Sequence, residues 1–251
     1  MKFPVFTKEC PNGALEIMIT ITDEMTDRNG RMRISDMARQ MQLITQRHLE
    51  SCVGITAEEL LAMGKSWVIS WTDIQIARLP LKDEKVILRI WPKKNKVTLY
   101  VRKYAMYSLQ GDPIMTTASL FLLMDQSTRK VGLEPEQMKM PEPVLIENEP
   151  DVPKMMKPFP EEYRNCGYRR VKNQEIDFNG HLNNSYYLDW VQELMDEEYD
   201  RLHEKKRVWI QYTKEIREGQ MVTMRYVWRD DVMYVKGEVE QETVFLLTIE
   251  Y

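Results

Sequence analysis

Thr26-Asp27-Arg28-Asn29-Gly30-Arg31-Met32 returns 150 residues later as Ile176-Asp177-Phe178-Asn179-Gly180-His181-Leu182. At the same offset Ser35 meets Ser185 and Gln42 meets Gln192. The apolar stripe keeps step too: Met37, Ala38, Met41 and Ile44 fall on Tyr187, Leu188, Val191 and Leu194. The i, i+1, i+4, i+7 spacing marks one face of an amphipathic helix. Each copy therefore predicts an Asp-x-Asn-Gly turn entering a helix whose apolar face must be covered.

Alternating or β-branched and aromatic segments supply the cover. In the first half they run from Trp67 to Arg78, Lys85 to Trp91, Val97 to Ser108 and Ile114 to Met124. In the second they run from Val208 to Ile216, Met221 to Trp228, Met233 to Glu240 and Val244 to Ile249. A leading strand precedes each helix, at Leu15 to Thr22 and Gly167 to Gln174. Thr56 and Glu59 form a capping-box pattern that starts a short extra helix after Gly54. Seven of the twelve prolines lie between Leu133 and Glu162, where the chain can neither continue a helix nor fill a ladder. The expectation is an α+β protein of two tandem domains, 1–132 and 163–251, joined by a Pro-rich linker at 133–162. Each domain is an antiparallel sheet curled around a central helix.

Composition excludes several classes. With 43% hydrophobic and 29% charged residues in 251, the chain is globular in character rather than disordered, collagenous or coiled-coil. The longest unbroken apolar run, Leu120 to Met124, falls far short of the roughly 18 residues of a membrane span. Met1-Lys2-Phe3-Pro4 opens no signal-peptide pattern, so a cytoplasmic protein is expected. Cys10, Cys52 and Cys166 are odd in number and widely spaced, as small buried apolar residues rather than a disulfide set or zinc site. His48, His181 and His203 lack metal-ligand spacing, and no metal or cofactor is expected. Residues 1–150 hold 20 Lys+Arg against 19 Asp+Glu, while residues 151–251 hold 15 against 20. The acid-free stretch from Val86 to Gly111 carries Arg89, Lys93, Lys94, Lys96, Arg102 and Lys103, readable as a solvated strand pair or as a landing site for an acidic partner. The acidic overall balance and the lack of an RNA-binding pattern argue against nucleic acid.

Chemistry concentrates in Asp177-Phe178-Asn179-Gly180-His181-Leu182-Asn183-Asn184-Ser185-Tyr186-Tyr187. The stretch puts a carboxylate, amides and an imidazole in a turn before a helix start, where Asn183 or Asn184 can cap and free N–H groups favour an oxyanion. His181 can change protonation near neutral pH, Asp177 can orient it or position water, and Asn179 can both donate and accept. The repeat acts as a control. Asp27, Asn29 and Gly30 are retained in the first copy, which marks the shared part as turn geometry. Arg31 replaces His181, and Arg33-Ile34 replace Asn183-Asn184, which marks those residues as specific to the second copy.

Asp177-x-Asn179-Gly180-His181-Leu182-Asn183-Asn184-x-x-Tyr187 resembles the signature of hotdog-fold thioesterases. The duplication, the Pro-rich linker and Tyr186-Tyr187-Leu188-Asp189-Trp190 make nearly the whole chain similar to the acyl-acyl carrier protein (acyl-ACP) thioesterases of plants and bacteria. The resemblance extends over Trp67-Val68-Ile69-Ser70-Trp71, Arg89-Ile90-Trp91-Pro92 and Asp125-Gln126-Ser127-Thr128-Arg129. It implies two hotdog domains and hydrolysis of fatty acyl-ACP in fatty acid biosynthesis. It also implies catalytic residues Asp177, Asn179 and His181 plus a Glu on the following strand, which maps to Glu215. Many plant members have a Cys after that Glu; here Ile216 stands there and cannot perform thiol chemistry. Water would be activated by His181 or Glu215, with N–H groups near Asn183 holding the oxyanion. By the same resemblance the first domain binds the acyl chain, in a pocket to which Met37, Met41, Trp67 and Trp71 are suited. The partner implied is acyl carrier protein bearing the chain on phosphopantetheine, docked on Arg89 to Lys103 or on Arg164, Arg169, Arg170 and Lys172. A coenzyme A thioesterase of the same fold, a hotdog dehydratase or hydratase, and a non-catalytic acyl-binding protein are the alternatives. Two hotdog domains in one chain can pair internally, so a monomer and a homodimer are both open.

Overall fold

A computed structural model describes residues 7–9, 13–96, 99–131, 159–195 and 197–251. The chain divides into two units, Met1–Thr72 with Leu79–Val152 and Asp73–Arg78 with Pro153–Tyr251. Most of the Pro-rich stretch, 132–158, lies outside the described residues.

In the first unit the strands are β1 (Thr7–Glu9), β2 (Leu15–Thr20), β3 (Lys65–Ile76, whose last residues from Asp73 belong to the second unit), β4 (Lys85–Lys96), β5 (Leu99–Ser108) and β6 (Pro113–Asp125). They lie in the order β1-β2-β4-β5-β6-β3. Helix α1 (Ile34–His48) follows the first turn, and α2 (Ala57–Ala62) begins at Thr56, where the expected capping box forms in both directions. Alternation explains the cover on α1. Leu15, Ile17 and Ile19 of β2 and Val86, Leu88 and Ile90 of β4 are buried, a period of two that puts them on one face. Tyr104 of β5 reaches α1, where its hydroxyl bonds Thr45 Oγ1 at 2.8 Å. Met37, Met41 and Ile44 of the predicted stripe are buried beneath.

The second unit repeats this with β7 (Arg164–Arg170), β8 (Arg207–Tyr212), β9 (Met221–Arg229), β10 (Val232–Val239) and β11 (Glu242–Glu250), ordered β7-β9-β10-β11-β8. The match with β2-β4-β5-β6-β3 is strand for strand. The β10–β11 turn uses Glu240 and Gln241 at φ 50° and 70°, the double left-handed conformation that suits a two-residue hairpin.

Two expectations need correction. The helix predicted in the second copy along Tyr187 to Leu194 ends earlier, as α3 (Tyr186–Gln192), followed after a break by α4 (Glu197–Leu202). Leu194 and Met195 bond only three residues back, to Val191 and Gln192, so the helix tightens and stops. Buried Asp200 holds the break, accepting from Gln192 Nε2 at 3.1 Å, Tyr251 Oη at 3.0 Å and the Lys205 ammonium. The strand read as Val208 to Ile216 ends at Tyr212, because the N–H groups of Thr213 and Lys214 both turn to the carbonyl of Val244. Glu215 therefore sits in the loop after β8 rather than on the strand.

Candidate active site

Both Asp-x-Asn-Gly turns close in the same way. In the first, Asp27 Oδ1 accepts from the N–H groups of Asn29 (2.8 Å) and Arg31 (2.9 Å). In the second, Asp177 Oδ1 accepts from Asn179 (2.9 Å) and His181 (3.2 Å). Gly30 and Gly180 stand at φ 72° and 80°, where a side chain would be strained. The shared residues thus build the turn, as the repeat implied.

The copies differ in what the turn displays. Arg31 folds back on Asp27 Oδ2 through Nε and Nη2, both at 3.1 Å. Burial pushes the Asp27 carboxyl up, but the N–H groups of Arg31 and Asn29 and the Arg31 charge outweigh it and hold it below the usual range. Asp177 has no such cation, and its second oxygen has no hydrogen-bond partner among the described residues. His181 instead reaches Glu215, Nε2 to Oε2 at 3.0 Å, with both side chains about one quarter exposed (22% and 24%). The N–H of Leu182 bonds the carbonyl of Ile216 at 2.8 Å, as that of Met32 bonds Pro80 at 2.8 Å. In this register Leu79 stands where Glu215 does, and the Lys82–Asp23 ion pair stands where Glu218 bonds Asn173. The imidazole–carboxylate pair of the second copy is an Arg and a Leu in the first.

A carboxylate only accepts hydrogen bonds, so Nε2 carries the proton and the lone pair of neutral His181 lies on Nδ1. The side-chain amides of Asn179 and Asn184 and the N–H of Asn184 have no partners among the described residues. Of the N–H groups near Asn183 expected to hold an oxyanion, that of Asn183 itself is committed to the carbonyl of Glu175 at 2.9 Å. Its side chain does cap the turn, Oδ1 accepting from Ser185 N (3.0 Å) and Oγ (2.9 Å).

Two supports were not read as such from sequence. Glu175, 2% exposed, accepts from the Lys172 N–H, Trp190 Nε1 and Arg169 Nη2. Burial raises its pKa, and these three donors bring it below the usual range. Tyr187, read as helix stripe, packs edge-on against Tyr212 and Phe245 at 5.1 and 5.0 Å. Burial first, then Tyr212, Asp177 and Glu215, push its phenol well up, so it remains a neutral donor beside the two acids.

Three members of the basic stretch do not contribute free surface charge. Arg102 and Lys103 are 2% and 1% exposed, and Arg89 pairs with Glu16. The side chains of Lys94, Lys96 and Arg164 lie outside the described residues. Arg169 is tied to Glu175 and Glu193 and lies over Trp190, leaving Arg170 and Lys172 exposed.

Sequence models of the acyl-ACP thioesterase N-terminal and C-terminal domains match residues 17–139 and 160–248, in that order. Among curated proteins, oleoyl-acyl carrier protein thioesterase 2 of Arabidopsis thaliana is 24% identical over 212 residues. That alignment covers 77% of this chain and 57% of the plant protein, so the chain spans little over half of that relative. Among solved structures, an acyl-ACP thioesterase from Bacteroides thetaiotaomicron superposes with a TM-score of 0.86 at 19% identity, covering 95% of this chain and 98% of that one. The 12:0-ACP thioesterase of Umbellularia californica gives 0.78 at 17%, covering 97% and 98%. At such identities the structures show a shared fold, the tandem hotdog. The domain matches cover both copies in order, and on them the chain belongs to the acyl-ACP thioesterase family.

Proposed function

We propose that the chain hydrolyses the thioester between a fatty acyl chain and the phosphopantetheine arm of acyl carrier protein, releasing free fatty acid in fatty acid biosynthesis. Family membership supports the substrate class. The observation that carries the chemistry is the His181–Glu215 contact, present in one copy of the repeat and replaced in the other. Catalysis is assigned to the second domain, 163–251, and support of the acyl chain to the first, 1–132.

Glu215 fixes the proton on Nε2, so Nδ1 accepts one from water as its oxygen attacks the carbonyl carbon. The new C–O bond forms, and the carbonyl electron pair moves onto oxygen. The Asn179 amide and the Asn184 N–H are the donors offered to that oxyanion. When the tetrahedral carbon collapses, the C–S bond breaks, and the leaving thiolate takes the proton from the His181 imidazolium. Glu215 stabilises that imidazolium while it exists. Asp177, with one oxygen committed to the turn and the other open, positions the water. Ile216 leaves no thiol beside Glu215, so no acyl-enzyme is invoked.

Thiol release measured on matched acyl-ACP and acyl-CoA substrates tests the reading. Higher kcat/KM on acyl-ACP is expected. Equal or higher kcat/KM on acyl-CoA would reassign the carrier, and no release from either would end the proposal.

A further inference from the structure

The first unit buries a cation that pairs with no carboxylate among the described residues. Arg102 on β5 faces α1 and is 2% exposed. Its Nη1 lies 2.9 Å from His48 Nδ1, while His48 Nε2 lies 2.7 Å from the carbonyl of Gly13. A carbonyl only accepts, so the His48 proton sits on Nε2, Nδ1 receives the Arg102 bond, and the imidazole is neutral. The other edge of the guanidinium, Nε with Nη2, is buried without any hydrogen-bond partner among the described residues. The indole Nε1 of Trp67 is buried and unpartnered as well, and the Arg102 guanidinium lies 5.8 Å from its ring.

That open edge has a filled counterpart elsewhere. Arg207 uses the same two nitrogens on the carboxylate of Asp73, Nε to Oδ1 at 2.7 Å and Nη2 to Oδ2 at 3.1 Å. Nε and Nη2 form the fork that fits two carboxylate oxygens. Around Arg102 the wall is apolar: Tyr100, Phe121, Leu123, Leu49 and Val53 form one buried cluster with Trp67 packed on it. Leu49–Val53 is a π-helical turn continuing α1, a rare form frequent at functional sites.

We propose that the first unit binds a carboxylate carried on an apolar chain, its two oxygens on Arg102 Nε and Nη2 and its chain along the Tyr100–Phe121–Leu123 wall. A free fatty acid and an acyl group with a carboxyl at its far end share this chemistry. The binding itself stands apart from the hydrolysis proposed above; only the acyl-group source rests on it.

Calorimetry on the full chain with dodecanoate and with methyl dodecanoate measures the effect of charge. Dodecanoate should bind the wild type about tenfold or more tightly than the ester, and Arg102→Met should erase that difference. Dodecanoate affinity unchanged in Arg102→Met, or lost in His181→Ala instead, would overturn the proposal by placing the carboxylate in the catalytic turn. Should Arg102→Met not fold, the 13C resonance of [1-13C]dodecanoate on the wild type decides. A carboxyl held on a guanidinium stays ionised below the pH at which the free acid protonates, whereas one in an apolar wall protonates above it. The sources separate by kcat/KM on acyl-ACP with and without a terminal carboxyl. A preference lost in Arg102→Met supports the acyl group, and equal values with tight dodecanoate binding support the free acid.

Discussion

At the scale of single residues, Asp177 does two things that the repeat lets one separate. Its Oδ1 holds the turn, as Asp27 Oδ1 does, and its other oxygen, which in Asp27 is tied to Arg31, is the one the proposed mechanism assigns to water. Asn offers the same acceptor atom without the charge, so Asp177→Asn should keep the turn and lower kcat by roughly tenfold to a hundredfold. Asp27→Asn gives up a partly exposed ion pair with Arg31 worth about 0–1 kcal/mol and should leave turnover alone. Steady-state rates beside melting curves check both; equal kcat losses in the two variants would show a purely structural effect. His181 stood out because a duplicated sequence shows which residues geometry keeps and which it does not, whereas Asp177 and Asn179, kept in the first copy as Asp27 and Asn29, became candidates through the chemistry of the turn and the family resemblance. The partner of His181 was less legible, since Glu215 meets it only through the fold, and its assignment came from family resemblance.

Elements bring the site together through close packing, most tightly at Gly237. There β10 is irregular in its pairing with β11, and a Cβ would fall 1.9 Å from Phe245 Cε1. Phe245 is fully buried and packs edge-on against Tyr187, so its ring cannot swing away. Gly237→Ala should cost about 1–3 kcal/mol, seen as a melting temperature lower by several degrees, and should lower activity by displacing Tyr187. An unchanged melting temperature would mean that the ring yields. The strand order followed from alternation and turn signals, because a period of two and an apolar helix face leave few ways to cover α1. The early end of β8 and the break after α3 did not. Both depend on distant acceptors, the Val244 carbonyl and the Asp200 carboxylate, which no local pattern announces.

Over the whole molecule the two copies share an architecture and carry opposite cargo: an imidazole–carboxylate pair in the second, a buried guanidinium and a neutral histidine in the first. Sequence reading took Arg102 for part of a solvated basic stretch, although its place two residues from Tyr100 and Tyr104 puts it on their face. Burial, then the charge of Arg102, lower the pKa of His48 to about 4, against roughly 6.5 in an unfolded chain. The unfolded state therefore takes up the proton first. The stabilisation is complete above about pH 6.5 and is lost as pH falls toward 4, on the order of 2–3 kcal/mol between pH 7.5 and 4.5. Urea unfolding across that range should show the loss in the wild type and much less of it in His48→Gln; parallel curves would contradict it. The claim that catalysis belongs to one copy and to one pair is tested most directly by acyl-ACP hydrolysis in His181→Ala, Glu215→Gln and the double variant. Each single change should lower kcat by roughly 10²–10⁴-fold, and the double should fall little below the worse single, because the two side chains act as a unit. Near-wild-type turnover in the single variants, or losses that multiply in the double, would contradict the account.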